Sequence, residues 1–478
     1  MLNLSLPGHP RYQPKSLQPI FGYDLLYQAP IEVEIAGIEV LGELGIIPRE
    51  DFALFTPEVK KSLFEITTTM VDELERVINH DVRALVRLIQ ERLPVPLRRW
   101  VHVPYTSYDP LSTGQAVQFK RAHAAVVRPK VREVIRLLIE RVRSCADAPQ
   151  IGRTHGQWAV PITIGFWLAT ILNRIIVNAR KMDALARELE GKISGPTGPY
   201  NAQHHLGILA RCADMSFERR VLDRLGVRPA AISTQIVPPE SLAYYLHACV
   251  MLAGAFGQFG RDCRSLAKSE IREIVAEKED GHVGSSSMPQ KTNPIWAEQL
   301  EGMSFSAKDE YAKVLDTLIS DHQRDLVGSS IMRSFPVIIV DLVVQLEGLL
   351  RKDKKTQRSL LERIAFDRAR CLEHIKLAGP AVLAEPAYLM LQISGYQGDA
   401  HKLLNDKVIP MLPNYGGSFA MALQALTATG EYPGLDTAIA AIPDEQLELL
   451  EHPERYVGLS EEKALEICEM AEEYLRQA

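Results

Sequence analysis

The sequence has few cysteines for its length, and none of them form a recognisable pair motif. Two thiols are nowhere separated by just two residues, and the six cysteines are Cys145, Cys212, Cys249, Cys263, Cys371 and Cys468. This spacing excludes a Cys-x-x-Cys metal site and does not resemble the framework of a small disulfide-stapled fold. It favours reduced thiols, and therefore a cytoplasmic protein.

Long hydrophobic runs are also missing. No stretch of 18 consecutive apolar residues occurs, and the nearest approach, at residues 248–260, is short and contains Gln258. The first fifteen residues have no basic segment followed by an apolar one, so we expect no secretory signal. We therefore expect no association with a membrane.

No excess of basic charge is present either. Lys and Arg together number 54 against 60 for Asp and Glu, which gives a net charge of −6. That balance argues against nucleic acid as the main partner. The glycine-rich loops that bind dinucleotides or nucleoside triphosphates are absent as well.

Helical periodicity is what the sequence does have. Apolar residues recur at alternating steps of three and four across residues 164–193 and 242–266 and again in 337–350, and a further helix is expected after Pro294. A helix of 30 residues spans about 45 Å. Helices of that length bury their apolar stripes in a bundle, to which other subunits can contribute.

We predict an all-α fold with three domains from this pattern. Proline and glycine are frequent in the first 30 residues, the charged run at residues 351–355 interrupts the long helices, and shorter helical segments follow. The predicted divisions are a helical N-terminal domain over 1–107, a central long-helix bundle over 108–352 and a helical C-terminal domain over 353–478.

The segment 284–294, GSSSMPQKTNP, is the most informative for chemistry. Glycine and three serines form a hydrogen-bonding loop, and Pro294 is well placed to begin a helix. Backbone N–H groups, hydroxyls and Lys291 could together hold a carboxylate. By composition alone a plain serine-rich surface loop is the commoner explanation.

This segment resembles the signature loop of the fumarase/aspartase superfamily, whose members eliminate fumarate from succinyl groups bonded through nitrogen or oxygen. Residues 154–157, THGQ, resemble the second characteristic region of that superfamily, and residues 106–109, TSYD, resemble the first. The resemblance implies a three-domain all-α fold with a central long-helix bundle.

Within the superfamily the chain most resembles the adenylosuccinate lyases, over nearly its whole length. The matching segments are Arg11-Tyr12, NHDV at 79–82, GKISGPTGPYNA at 191–202, STQI at 233–236 and QRDL at 323–326. Arg324, Ser329 and Arg333 have the spacing of the residues that bind the nucleotide phosphate in this group. Two guanidiniums and a hydroxyl suit a phosphate dianion.

The resemblance also implies catalytic roles. Ser285 is expected to be the base, His155 the acid, and Glu298 the partner that keeps His155 protonated. The fumarate carboxylates are expected to contact Lys291, Asn293, Thr106 and Ser107. The further substrate contacts that it implies are Arg11, Tyr12, His80, Asp81, Thr154, Gln157, Gln235, Ser286 and Met288.

The same resemblance implies a small-molecule nucleotide substrate, no metal or organic cofactor, and a homotetramer in which three subunits contribute to each site. Tyr108, Trp158 and Gln290 depart from the usual adenylosuccinate lyase pattern, and glutamine at the last position is typical of argininosuccinate lyases. A related lyase that acts on argininosuccinate or another aspartate-derived compound therefore stays open as an alternative. A non-catalytic structural homologue is a further alternative. Four intact residues argue against it, namely Ser285, Lys291, His155 and Glu298.

Overall fold

The structure is a computed structural model, and it describes residues 9–213, 215–277, 287–288 and 290–477. Helices dominate this part of the chain and the strands in it are short, which confirms the all-α prediction. The chain divides into two compact units. The first unit comprises residues 1–134, 175–260 and 295–351, and the second comprises 135–174, 261–294 and 352–478. The division into three domains stays a prediction.

The helices are numbered here in chain order. Those of the N-terminal third are α1 (Gln18–Phe21), α2 (Gln28–Glu43), α3 (Arg49–Phe52), α4 (Pro57–Leu63), α5 (Thr68–Ile78), α6 (Asp81–Arg92) and α7 (Tyr108–Ala122). Those of the middle are α8 (Arg128–Ser144), α9 (Ile164–Arg187), α10 (Asn201–His205), α11 (Phe217–Leu225), α12 (Glu240–Leu266), α13 (Ile295–Asp316), α14 (Val327–Ile331) and α15 (Pro336–Leu350). The C-terminal ones are α16 (Leu360–Arg363), α17 (Arg368–Ala378), α18 (Ala384–Ile393), α19 (Ala400–Leu403), α20 (Ile409–Met411), α21 (Phe419–Thr427), α22 (Leu435–Ala440), α23 (Asp444–Leu449) and α24 (Ser460–Arg476).

Within the described residues, six short strands pair two by two. They are β1 (Pro149–Thr154), β2 (Gln157–Thr163), β3 (Glu190–Gly191), β4 (Arg228–Pro229), β5 (Ile274–Ala276) and β6 (Ile364–Phe366). Strands β1 and β2 form an antiparallel hairpin, β3 pairs with β4 in parallel, and β5 pairs with β6 antiparallel. The hairpin was not expected from the sequence, because Gly152 and Pro161 interrupt the alternation that identifies a strand.

Three of the four predicted long helices are confirmed as α12, α13 and α15. The fourth prediction was wrong at its end, because α9 stops at Arg187 instead of continuing to Ile193. The apolar residues Leu189 and Ile193 are nevertheless fully buried. They lie on either side of β3, which pairs in parallel with β4. Their spacing in the sequence is that of buried helix positions, although the chain there is not helical.

Close packing of α12, α13 and α15 builds the central part of the first unit. Gln345 on α15 donates from Nε2 to the carbonyls of Ala253 on α12, at 3.1 Å, and Leu300 on α13, at 2.6 Å. A Cβ added at Gly260 would lie 2.4 Å from the carbonyl oxygen of Ala297, so α12 and α13 approach closely only because glycine stands there. The side-chain amide of Gln345 thus joins all three helices.

Two apolar helical segments, Glu240–Leu266 and Val327–Leu350, are long and apolar enough to cross a membrane by length and composition alone. Within the protein, 61% of the most apolar window of the first segment is buried, against 44% in the second. Core helices of helical bundles pass the same test. In the second segment, fewer than half of the residues of the apolar window are buried within one chain.

Candidate functional site

Arg324 is the centre of a polar cluster in the first unit. Its Nη1 donates to Oε1 of Gln235 at 2.7 Å, its Nη2 donates to Oγ of Ser329 at 2.9 Å, and its Nε donates to the carbonyl of Asp325 at 3.0 Å. A guanidinium has five N–H groups. Within the described residues these bonds use three of them, which leaves two for an anion.

Tyr108 completes this cluster from the first turn of α7. The guanidinium carbon of Arg324 lies 3.3 Å from the centre of the Tyr108 ring, which is a cation–π contact. The Tyr108 hydroxyl is 2.6 Å from Oγ of Ser329 on α14. Sequence reasoning noted Tyr108 only as a departure from the family pattern and did not assign it to the site.

A pocket of about 770 Å³, including its open mouth, contains this cluster. Tyr108, Arg324 and Ser329 line it together with apolar side chains, among them Leu242 and Phe335. A mostly apolar pocket with a few convergent polar groups is typical of small-molecule sites. Arg333, the other predicted phosphate ligand, lies exposed in the 3₁₀ turn Met332–Ser334, and its role stays a prediction.

Asp109, next to Tyr108, fixes the loop that carries Thr106 and Ser107. Its carboxylate is wholly buried; Oδ2 accepts from the backbone N–H of Thr106 at 2.6 Å, and Oδ1 accepts from Nζ of Lys192 at 2.6 Å. The backbone N–H of Ser194 donates to the same Oδ1 at 3.0 Å. Burial lowers the pKa of Lys192, and the nearby Asp109 opposes that shift.

Two further contacts join the segment 191–202 to its neighbours. The hydroxyls of Ser194 and Ser233 are 2.6 Å apart, which connects this segment to the STQI motif. Glu218 on α11 accepts from the backbone N–H of Ile193 and from the hydroxyl of Tyr200, each at 2.7 Å, and burial raises its pKa. Three motif segments that are distant in sequence therefore meet in the first unit.

Residues 79–82 form the junction between α5 and α6. Asn79 ends α5 with a φ of 56°, and His80 caps α6 by accepting at Nδ1 from the backbone N–H of Arg83 at 3.3 Å. His80 itself is exposed and Asp81 is partly exposed. Arg11 and Tyr12 lie in the 3₁₀ turn Pro10–Tyr12 of the same unit. Substrate contact by these four predicted residues stays a prediction.

His155 lies at the tip of the β1–β2 hairpin in the second unit. Thr154 pairs with Gln157, and the two residues between them, His155 and Gly156, have φ values of 54° and 76°. Positive φ at both positions is characteristic of a type I′ turn. All four residues are exposed, so the hairpin presents the imidazole to the outside of this unit.

A buried carboxylate holds the base of this hairpin. Glu273 is fully buried, and Arg153 donates to its two oxygens at 2.6 and 3.0 Å. Nδ1 of His374 on α17 is 2.6 Å from Oε1 of Glu273, and Gln150 on β1 donates to Oε2 at 2.8 Å. The Trp158 ring lies beside that of His374, with the centres 6.5 Å apart. Sequence reasoning missed this cluster, whose members are scattered along the chain.

The signature loop is described only in part. Ser285 and Ser286 lie outside the described residues, Met288 and Lys291 are exposed, and Asn293 is half-buried. Glu298 is exposed in the first turn of α13 and belongs to the first unit, whereas the loop and His155 belong to the second. The pairing of Glu298 with His155 stays a prediction. In the part of the chain that the structure describes, no cluster of three or more His, Cys, Asp or Glu residues could hold a metal ion.

Comparison with known proteins identifies relatives along the whole chain. A sequence model described as lyase matches residues 57–308. Adenylosuccinate lyase from Streptococcus mutans is 31% identical over 344 residues, covering 72% of this chain and 75% of that protein. Adenylosuccinate lyase from Archaeoglobus fulgidus is 26% identical over 471 residues, covering 98% of both.

A solved structure shares the fold. It is 3-carboxy-cis,cis-muconate lactonizing enzyme from Pseudomonas putida, which superposes with a TM-score of 0.78 at 20% identity. The match covers 97% of this chain and 98% of the other. At this identity the likeness concerns the fold alone, and it confirms the fumarase/aspartase-like architecture.

Proposed function

The chain belongs to the lyase family and, within it, to the adenylosuccinate lyases, and from this premise we propose that it cleaves adenylosuccinate into AMP and fumarate. The observation that supports this substrate most directly is the cluster of Arg324, Ser329 and Gln235, which offers a cation and a hydroxyl to a phosphate. The succinylated aminoimidazole carboxamide ribotide carries the same two ends, a phosphate and a succinyl amine. We include it as a second substrate of the same site.

The chemistry requires a base, an acid and cationic or hydrogen-bonding groups at the carboxylates. Ser285, as its alkoxide, takes the Cβ proton of the succinyl group and becomes a neutral hydroxyl, the C–N bond breaks, and the electron pair of that bond goes to the leaving nitrogen. His155 donates the proton that this nitrogen takes up. Lys291 and Asn293, with Thr106 and Ser107, bind the two carboxylates and stabilise the charge that develops on one of them.

The proposal extends to a homotetramer in the cytoplasm. His155 and Thr106 belong to different compact units, and several bundle side chains are exposed in a single chain, including Tyr244 and Met251 seven residues apart on α12, at 58% and 49%. Residues seven apart share one helix face. Burial of that face between subunits would bring long helices of several chains together.

A panel of succinyl amines tests the substrate. Purified protein is incubated with adenylosuccinate, its dephosphorylated analogue, the succinylated ribotide and argininosuccinate, and fumarate release is measured by a coupled assay. We expect the two phosphorylated substrates to have the highest kcat/KM. Preference for argininosuccinate would overturn the proposal in favour of the function that Gln290 suggests, and no release from any of the four would favour a non-catalytic homologue.

A further inference from the structure

We propose that Tyr108 is a positioning residue, which holds Arg324 and Ser329 in the geometry that receives the substrate phosphate. This inference rests on the proposed function, because it assumes that these two residues bind a phosphate. Tyr108 is one of the positions at which the chain departs from the usual adenylosuccinate lyase pattern, and the proposed role gives this departure a function.

The Tyr108 ring restricts the directions from which an anion can approach the guanidinium of Arg324. The Tyr108 ring lies 3.3 Å from the guanidinium carbon and therefore covers one face of Arg324. The carbonyl of Asp325, the amide of Gln235 and the hydroxyl of Ser329 occupy three positions in its plane. The remaining N–H groups, one on Nη1 and one on Nη2, lie in the same plane, and an anion accepts hydrogen bonds from them along that plane.

The Tyr108 hydroxyl also affects the direction in which Ser329 donates its proton. A serine hydroxyl has one proton and can accept two hydrogen bonds. Arg324 donates to Oγ, and if Tyr108 donates to it as well, both acceptor positions are filled. The Ser329 proton is then available for donation to a phosphate oxygen. Tyr108 would thus fix the direction in which both Arg324 and Ser329 donate.

Tyr108 is itself held in place by its neighbour in the chain. It precedes Asp109, which is wholly buried and bonded to Lys192 and to the backbone of Thr106. The backbone that carries the aromatic ring is therefore anchored from its next residue. A ring held in this way reduces the freedom that the long Arg324 side chain would lose on binding a ligand.

Two variants separate the ring from the hydroxyl. Tyr108→Leu removes both contacts, and we expect the KM for adenylosuccinate to rise about tenfold, a moderate estimate for the loss of a half-buried cation–π contact and a hydrogen bond. Tyr108→Phe keeps the ring over Arg324, and we expect a rise of about threefold. The loss should fall mainly on KM rather than kcat, and the KM for the dephosphorylated analogue should change far less.

A merely structural role predicts something different. Equal losses on the phosphorylated and dephosphorylated substrates, or no loss in Tyr108→Leu, would overturn the proposal. If Tyr108→Leu does not fold, Tyr108→Phe is compared in the wild-type and Ser329→Ala backgrounds. Because the hydroxyl is proposed to act through Ser329, its removal should cause no further rise in KM in the Ser329→Ala background. Additive rises in KM would contradict the proposal.

Direct binding keeps this test independent of turnover. The dissociation constant of AMP is measured by calorimetry for the wild type and for both Tyr108 variants. We expect AMP binding to weaken more in Tyr108→Leu than in Tyr108→Phe, as for KM. If Tyr108→Leu binds AMP as tightly as the wild type, the inference is overturned. If the wild type binds AMP in a Tyr108-dependent manner but releases no fumarate, the proposed function fails while the role of Tyr108 stands.

Discussion

Replacement of Asp109 by asparagine should destabilise the first unit and impair the site together. The substitution keeps the size of the side chain but removes the negative charge that Lys192 faces at 2.6 Å. It also places an NH₂ group where one carboxylate oxygen now accepts from a backbone N–H, of either Thr106 or Ser194. Two donors would then face one another.

The expected cost is about 3–5 kcal/mol in the free energy of unfolding, the range for removing one partner of a buried ion pair. Both side chains of the pair are almost completely inaccessible to water, at 1% for Lys192 and 0% for Asp109, so solvent does little to reduce this cost. Because burial already lowers the pKa of Lys192, loss of its anion favours a neutral amine or water entry.

Urea unfolding of the wild type, Asp109→Asn and Asp72→Asn measures this difference. Asp72 pairs with Arg76 on the exposed face of α5, so its substitution should cost no more than about 0.5 kcal/mol. In the double variant Asp109→Asn with Lys192→Met, the buried cation is gone, and the loss should be smaller than the sum of the single losses. A cost for Asp109→Asn as small as that of the surface control would refute the reasoning.

Three further predictions concern the phosphate, the pH dependence and the assembly. Arg333→Ala should weaken binding of adenylosuccinate by about 2 kcal/mol and scarcely affect the dephosphorylated analogue, as competition binding will measure; equal losses would make Arg333 structural. Burial raises the pKa of Asp341 to about 6 from an ordinary 3.8, so the folded state binds the extra proton, and the free energy of unfolding should fall by about 2 kcal/mol as the pH rises from 4 to 6. Asp341→Asn should abolish that part of the pH dependence in urea titrations, and an unchanged profile would contradict the assignment. Inactive Ser285→Ala and His155→Ala proteins, unfolded and refolded together in equal amounts, should regain activity at roughly a quarter of their sites if each site takes these residues from different subunits; mixtures that remain inactive would refute the shared site.

The long helices could be predicted because their apolar positions repeat over many turns. Helix α12 is such a case, with Tyr245, Cys249, Leu252 and Phe256 all fully buried. The β1–β2 hairpin could not be predicted in this way, since its strands are short and its turn depends on positive φ at His155, which composition does not reveal. The end of α9 was predicted wrongly because Ile193 is a buried apolar residue at a helical spacing from the residues before it, although the helix has already ended.

The site was predictable only where local spacing carries information. Arg324 and Ser329 are five residues apart, and this spacing, as part of the resemblance to the adenylosuccinate lyases, identified them as phosphate-binding residues. Their contact with Tyr108 joins positions more than 200 residues apart, and so does that of Arg153 with His374 in the second unit. Such contacts depend on tertiary packing, which a single sequence does not display.

Product analysis on adenylosuccinate tests the central claim most directly. Wild type and Ser285→Ala are incubated with adenylosuccinate, and AMP and fumarate are both quantified by chromatography over time. The account predicts equal amounts of AMP and fumarate from the wild type and a loss of at least about a hundredfold in rate for Ser285→Ala, the scale of a missing general base. A wild type that releases neither product, or a Ser285→Ala variant that works within a few-fold of it, would contradict the account.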